Sequence, residues 1–179
     1  LGLSQLQPLA ADPFSDPALR GTLVHAILDA WHKTRVDDPD LAIRPFAEAH
    51  FARERVHPLF RALWQPRLLA ALETFEKKIA VAEASEDRKV VASEIKGEMV
   101  FNGVRIKGRA DRIDRLADGT LAIVDYKTGT VPSKTKVKAG LALQLGLLGL
   151  IAEAGGFADK GVPADAATRF EYWSFGKDK

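Results

Sequence analysis

Apolar residues follow a helical period in the first half of the chain and mostly alternate with polar residues in the second half. Asp16-Pro17 is typical of a helix start, because aspartate caps helices and proline suits the first helical position. Pro66 predicts a break or restart within the third helical segment, and a charged connector follows at 83–89. The predicted helices are residues 17–33, 46–56 and 59–79.

From Val90 onward, β-branched residues and alternation predict strands. A bulge or bend is expected near Gly97, and Gly155-Gly156 is a typical end for the one helix of this half. The predicted strands are residues 90–101, 104–116, 120–128 and 168–175, with a helix at 137–154.

This order of elements predicts the α/β (α+β) class, with N-terminal helices followed by a β-β-β-α-β core. We expect residues 1–17 to be a lead-in or linker remnant and residues 18–179 to form a single domain. Within it, the helical part covers residues 18–80 and the core covers residues 90–175.

Composition narrows the class of protein. With 179 residues, 46% hydrophobic and 28% charged, the chain is an ordinary globular domain with no apolar run long enough for a membrane span. Its lack of cysteine excludes disulfides, thiolate zinc sites, cysteine nucleophiles and an iron–sulfur cluster held by this chain. A net charge of +2 permits a nucleic-acid partner without requiring one.

Two charged residues interrupt the third predicted strand. Asp125 and Lys127 have the same alternation as Leu121 and Ile123, so they are expected on a buried or half-buried face. An unpaired buried carboxylate costs several kcal/mol, so Asp125 requires a cation, hydrogen bonds or both.

The turn before this strand sets its register. If residues 117–119 form a three-residue loop, Leu116 pairs with Thr120 and Asp111 lies opposite Asp125. A two-residue loop would instead place Asp111 opposite Tyr126. Two facing carboxylates repel each other, and a hard divalent ion such as Mg²⁺ between them is the simplest remedy.

Two further residues have alternative interpretations. Lys127 could activate water beside a metal, or it could only form an ion pair with Asp111 or Asp125. His25 could belong to a solvated polar stripe on the first helix, although Arg20 upstream suits an oxyanion. The other histidines, His32, His50 and His57, are expected at the surface.

Three motifs then resemble a known family. The segments RGTLVHAIL (20–28), GRADRID (108–114) and IVDYKTG (123–129) resemble RecB-type nuclease domains of the PD-(D/E)XK superfamily, which have a restriction-endonuclease-like core. The likeness covers residues 18–175 and is greatest to the C-terminal nuclease domain of the AddB family of alphaproteobacteria.

The resemblance implies roles for residues that match the motifs. Asp111, Asp125, Lys127 and, with Glu98 as a rival, Glu94 would be catalytic. The metal ligands would be His25, Asp111, Asp125 and the main-chain carbonyl of Tyr126. DNA contacts would come from Arg20, Arg109, Arg112, Lys134, Lys136 and Gln144, although Leu147 to Gly149 stand where the family often has tyrosine.

The implied activity is Mg²⁺-dependent hydrolysis of DNA, with Mn²⁺ as an alternative ion, in a cytoplasmic helicase–nuclease that processes double-strand breaks. The implied partners are DNA and an AddA-like helicase–nuclease protein, with ATP binding only to that partner helicase and with no membrane partner. A catalytically inactive DNA-binding scaffold and a stand-alone small exonuclease are the alternatives.

Overall fold

The computed structural model describes residues 17–53, 62–129, 131–133, 135 and 143–175. Its helices and strands follow the predicted order, helices first and then β-β-β-α-β. The helices are α1 (Pro17–Thr34), α2 (Ile43–Arg53), α3 (Gln65–Glu86) and α4 (Gln144–Glu153), with a short 3₁₀ turn at Ala158–Lys160. The strands are β1 (Lys89–Phe101), β2 (Val104–Arg115), β3 (Leu121–Lys127) and β4 (Ala167–Ser174).

The strands form one mixed sheet in the order β1-β2-β3-β4. β1 and β3 are antiparallel to β2, whereas β4 is parallel to β3, so the connection between these last two strands crosses over through α4. The predicted α+β class, with a restriction-endonuclease-like core, is confirmed.

Each face of the sheet supports a separate hydrophobic core. Val124 and Tyr126 of β3 pack on one face against α1, α2 and α3, whereas Leu121 and Ile123 pack on the other face against α4. The alternation of β3 therefore distributes its side chains between the two cores. No helix in the described part of the chain is long and apolar enough to cross a membrane.

The predicted register between β2 and β3 is confirmed. The amide of Leu116 donates to the Thr120 carbonyl at 2.8 Å, and Gly119 has a φ of +84°, as a three-residue loop requires. Arg112 then pairs with Val124, the register that brings Asp111 and Asp125 to the same level of the sheet. The ladder ends at this pair.

Two helix boundaries differ from the prediction. α2 starts at Ile43 rather than residue 46, because Pro45 is accommodated in the first turn, where an amide hydrogen is not needed. α3 starts at Gln65 with Pro66 in its first turn and continues to Glu86, so the predicted connector is largely helical. Residues 54–56 and 59–61 of the predicted segments lie outside the described residues.

The bulge predicted near Gly97 is not there, since Gly97 pairs regularly with Gly108. The glycine has a packing role instead, because a Cβ at this position would collide with the ring of Phe157. The irregularities of β1 lie between Val90 and Ala92 and at Glu94, which has a φ of +49°.

Candidate metal and catalytic site

Three side chains from three elements meet beside the N-terminal half of α1. The Nδ1 atom of His25 lies 2.8 Å from Oε1 of Glu94 on β1 and 3.4 Å from Oδ1 of Asp111 on β2. One potential ligand atom from each residue lies within 4.8 Å of the others, so these side chains form the group best suited to a metal ion within the described residues.

An irregularity in both strands turns these carboxylates toward α1. Ser93 donates to Asp29 of α1, and the next residue, Glu94, also contacts α1 through His25. Two consecutive residues of a regular strand would face opposite sides, and the positive φ of Glu94 removes this alternation. The β1–β2 pairing omits Glu94 and Asp111 while continuing on both sides of them.

The main chain of Tyr126 completes the group. Its amide donates to Oδ2 of Asp111 at 2.8 Å, and its carbonyl oxygen lies 3.2 Å from Nε2 of His25. The side chain of Tyr126 is fixed at its far end, where the hydroxyl lies 3.0 Å from Nε2 of His32. The tyrosine is thus held at both ends, and its carbonyl oxygen faces the predicted metal ligands.

Asp125 and Lys127 form a second pair next to this group. The Nζ atom of Lys127 lies 2.6 Å from Oδ2 of Asp125, which confirms the expected ion pair. Asp125 is not in the group of three ligand atoms within 4.8 Å of one another. By alternation it lies on the α4 side of β3, whereas Asp111 has turned toward α1.

The electrostatics of the site favour a cation. The carboxylates of Asp111 and Glu94 raise the pKa of His25 to about 10, against the opposing effect of burial. Burial, together with the charge of Asp111, raises the pKa of Asp125 despite the nearby Lys127. The buried Oδ2 atom of Asp125 also lacks a hydrogen bond of normal geometry among the described atoms.

Access to the group is through a pocket of about 420 Å³. Its walls include Thr22 and Ala26 of α1 and Arg109 of β2, in addition to the three ligand candidates. α1 approaches β3 closely here, since a Cβ at Gly21 would lie 3.3 Å from Oγ1 of Thr128. The pocket is open enough for a charged substrate to reach the carboxylates.

The residues predicted to contact DNA lie in different environments. Gln144 is exposed at the start of α4, and Arg109 is 57% exposed while its Nε lies 2.6 Å from Glu94. Arg112 is a wrong prediction, because its side chain is fully buried and its Nε donates to the buried Asp114 at 2.6 Å. Lys134, Lys136 and the side chain of Arg20 lie outside the described residues.

Two predictions about histidines on α1 are wrong. The polar stripe is not solvated, since His25 faces the carboxylates and Asp29 accepts the Ser93 hydroxyl. His32 is only 6% exposed and sits between Tyr126 and the ring of Trp31. Its apolar neighbours at helical spacing, Leu28 and Trp31, were the available signal. His50 is half-buried, and His57 lies outside the described residues.

Glu94 and Glu98 are now distinguished by position. Glu94 contacts His25, whereas Glu98 is half-exposed and pairs with Arg105 and Lys107 two rows farther along the hairpin. Alternation alone could not separate the two residues, because both lie on the same face of β1.

Comparison with known proteins agrees with this geometry. The profile of the PD-(D/E)XK nuclease superfamily matches residues 2–179. One of the two subunits of an ATP-dependent helicase/deoxyribonuclease of Streptococcus uberis is 32% identical over 155 residues, which is 81% of this chain and 13% of that protein. Its namesake in Streptococcus mutans is 28% identical over 132 residues, or 72% of this chain and 12% of that protein.

An uncharacterized protein of Rickettsia typhi is also similar, with 30% identity over 138 residues, which is 70% of this chain and 16% of that protein. The chain therefore spans less than a fifth of the length of these relatives.

Proposed function

We propose that this chain, which belongs to the PD-(D/E)XK nuclease superfamily, hydrolyses phosphodiester bonds of DNA with the help of Mg²⁺ or Mn²⁺. The observation that carries the proposal is the convergence of His25, Glu94 and Asp111 on one point beside the Tyr126 carbonyl oxygen. Carboxylates, a carbonyl oxygen and one imidazole are ligands that suit these ions.

The residues fit such an ion for a physical reason. Two carboxylates and a main-chain carbonyl present negative charge to a half-buried point, and an imidazolium compensates it in this structure. His25, Asp111, Asp125 and the Tyr126 carbonyl would hold the metal, with Glu94 as a further ligand. When bound, the ion polarises a phosphate oxygen and lowers the pKa of water.

The chain's own contribution to the chemistry centres on Lys127. Its ammonium group lies beside Asp125 and 27% of its side chain is exposed, so it can reach both a carboxylate and a phosphate. We assign it the positioning of the attacking water and the stabilisation of negative charge that develops on the phosphate. Asp111 orients the Tyr126 main chain through the amide hydrogen bond.

DNA contacts are proposed for the solvated basic residues near the pocket. Arg109 lines the pocket directly, and Gln144 is exposed at the start of α4. Arg20, Lys134 and Lys136 retain the DNA-contact role that the resemblance implies.

The biological setting is a further proposal. Both streptococcal relatives carry the name of a helicase/deoxyribonuclease component, which supports a role in a helicase–nuclease complex. We propose that the chain acts with an AddA-like, ATP-hydrolysing partner on DNA ends at double-strand breaks. Such a substrate places the activity in the bacterial cytoplasm, where it would act as an exonuclease.

A cleavage assay tests the activity. The full chain, alone and with its helicase partner, is incubated with end-labelled single-stranded DNA in Mg²⁺, Mn²⁺ or EDTA. We expect cleavage in either metal, none in EDTA, and none with Asp111→Asn. Asp118→Asn, an exposed aspartate in the β2–β3 turn, is the matched control and should cleave normally. Binding of DNA without cleavage under every condition would indicate the scaffold alternative.

A further inference from the structure

The face of the β1–β2 hairpin that carries Glu94 and Asp111 continues beyond the pocket as rows of charged side chains. Lys96 pairs with Arg109 in the next row, and Glu98 pairs with Lys107 in the row after it. The intervening pair, Gly97 and Gly108, faces the other side, where Phe157 and Leu148 approach too closely for a Cβ. Alternation therefore places charged rows on one face and close packing on the other.

These rows form the floor of a groove of about 720 Å³. The loop at Gly155-Gly156 and the residues Asp159 and Lys160 form its far wall, beside the edge of β1. Arg109 lines both this groove and the pocket of the candidate site. The groove is thus a continuation of the site rather than a separate cavity.

The charges of the groove are unevenly compensated. Lys107 lies 3.3 Å from Glu98, and Lys160 lies 2.8 Å from Asp159. Lys96 is exposed and has no carboxylate within ion-pair distance among the residues that the structure describes. The row next to the site therefore presents one uncompensated ammonium opposite a guanidinium that contacts Glu94 through its Nε.

We propose that the row of Lys96 and Arg109 binds a backbone phosphate of single-stranded DNA, next to the phosphate at the metal site. This subsite rests on the proposed function, since the site defines where the strand is cut. A guanidinium has five hydrogen-bond donors, so a contact of Nε with Glu94 leaves others for a phosphate.

The dimensions of the hairpin favour one strand over a duplex. Rows on one face repeat every second residue, at about 6.8 Å, and neighbouring strands lie about 4.8 Å apart. The basic surface is therefore a track as wide as two β-strands, and a charged groove of this kind follows a single nucleic-acid backbone. The strand would extend from the site across the hairpin toward Lys160 at the β1 edge.

A salt-dependence experiment tests the subsite. Fluorescence anisotropy gives the affinity of the full chain for a labelled 12-nucleotide single strand in EDTA at several salt concentrations. We expect Lys96→Ala to reduce the slope of log affinity against log salt by about 0.7, the value for one phosphate contact on a single strand. Lys96→Glu should weaken binding further.

The matched control is Lys89→Ala, with Lys89→Glu for the charge reversal. Lys89 is an exposed lysine of the same strand, seven residues away and outside the groove lining. Both Lys89 variants should keep the wild-type slope. Equal effects at Lys89 and Lys96, or no effect at either, would overturn the subsite, as would failure of the wild-type chain to bind.

The same preparations are assayed for cleavage, which separates this proposal from the proposed function. A wild-type chain that cleaves DNA but shows no dependence on Lys96 retains the function and loses the subsite. A chain that binds single-stranded DNA through Lys96 and never cleaves retains the subsite and loses the function. A duplex that competes as well as a single strand would also overturn the proposal.

Discussion

Asp111 accepts a hydrogen bond from the main-chain amide of Tyr126 at 2.8 Å, so one carboxylate links β2 to β3 just where their regular pairing ends. The same carboxylate has its other oxygen 3.4 Å from His25. Asp111 is therefore a structural residue as well as a predicted metal ligand, which distinguishes it from Asp125.

Substitution of the two aspartates should separate stability from activity. Asp111→Ala leaves the buried Tyr126 amide without its acceptor, so we expect a loss of about 1–3 kcal/mol in the free energy of unfolding without metal. Asp125→Asn should unfold at the wild-type temperature or above, because burial raises the pKa of this carboxyl and disfavours its charge. Thermal melts in EDTA measure both, and neither variant should cleave DNA.

Lys127→Ala should abolish cleavage while leaving divalent-ion binding intact or slightly tighter. The ammonium lies 2.6 Å from Asp125, so its removal also removes a cation that competes for that carboxylate. Calorimetric titration with Mn²⁺ and the cleavage assay provide the two readouts. Lys33→Ala, at an exposed lysine on α1 outside the pocket lining, is the control. A Lys127→Ala variant that still cleaves would show that the lysine is only an ion-pair partner.

His32 predicts how stability depends on pH. Burial lowers the pKa of His32 to about 3, below the unfolded value of about 6.5. The unfolded chain then binds a proton that the folded chain excludes, so stability is full above pH 6.5 and falls as the pH decreases toward 3. The contribution is at most about 1.4 kcal/mol per pH unit.

The variant His32→Gln should flatten that dependence while keeping a partner for the Tyr126 hydroxyl. Urea unfolding at pH 7, 6, 5 and 4 measures the slope. His50→Gln on α2 is the matched control, and its stability should fall with pH as steeply as that of the wild type.

Two glycines of α4 should respond oppositely to alanine. A Cβ at Gly149 would lie 2.6 Å from the ring of Phe170 on β4, so Gly149→Ala should cost about 1–3 kcal/mol through overpacking. Gly146 has no atom within 4 Å of such a Cβ, so Gly146→Ala should add up to about 1 kcal/mol of helix stability. Denaturant unfolding of both variants checks the packing of α4 against β4.

The sequence predicts the sheet better than the environment of individual side chains. The three-residue turn and Gly119 are local signals, and they were sufficient to set the β2–β3 register. The orientation of Glu94 depends on a positive φ that no local residue type announces, since glutamate rarely adopts it. The register alone therefore did not reveal that Asp111 turns toward α1.

Arg112 and His32 were misjudged for a related reason. Both are polar residues enclosed by elements distant in sequence, where Asp114 and the ring of Trp173 surround Arg112. Paired charges of this kind can be buried, whereas composition and spacing treat each as a surface residue. The helix starts of α2 and α3 differ for a local reason, because proline tolerates the first turn.

The distance along the chain between the partners of His25 bears on the order in which the domain forms. Glu94 lies 69 residues and Tyr126 lies 101 residues beyond His25, whereas β1, β2 and β3 are joined by short turns. Contacts between distant residues require costly loop closure, so the hairpins are expected to form early and α1 to dock late. During synthesis α1 leaves the ribosome first, yet its partners are complete only once Lys127 has followed. The ligand set is therefore among the last parts of the domain to assemble, and a partly made chain lacks it.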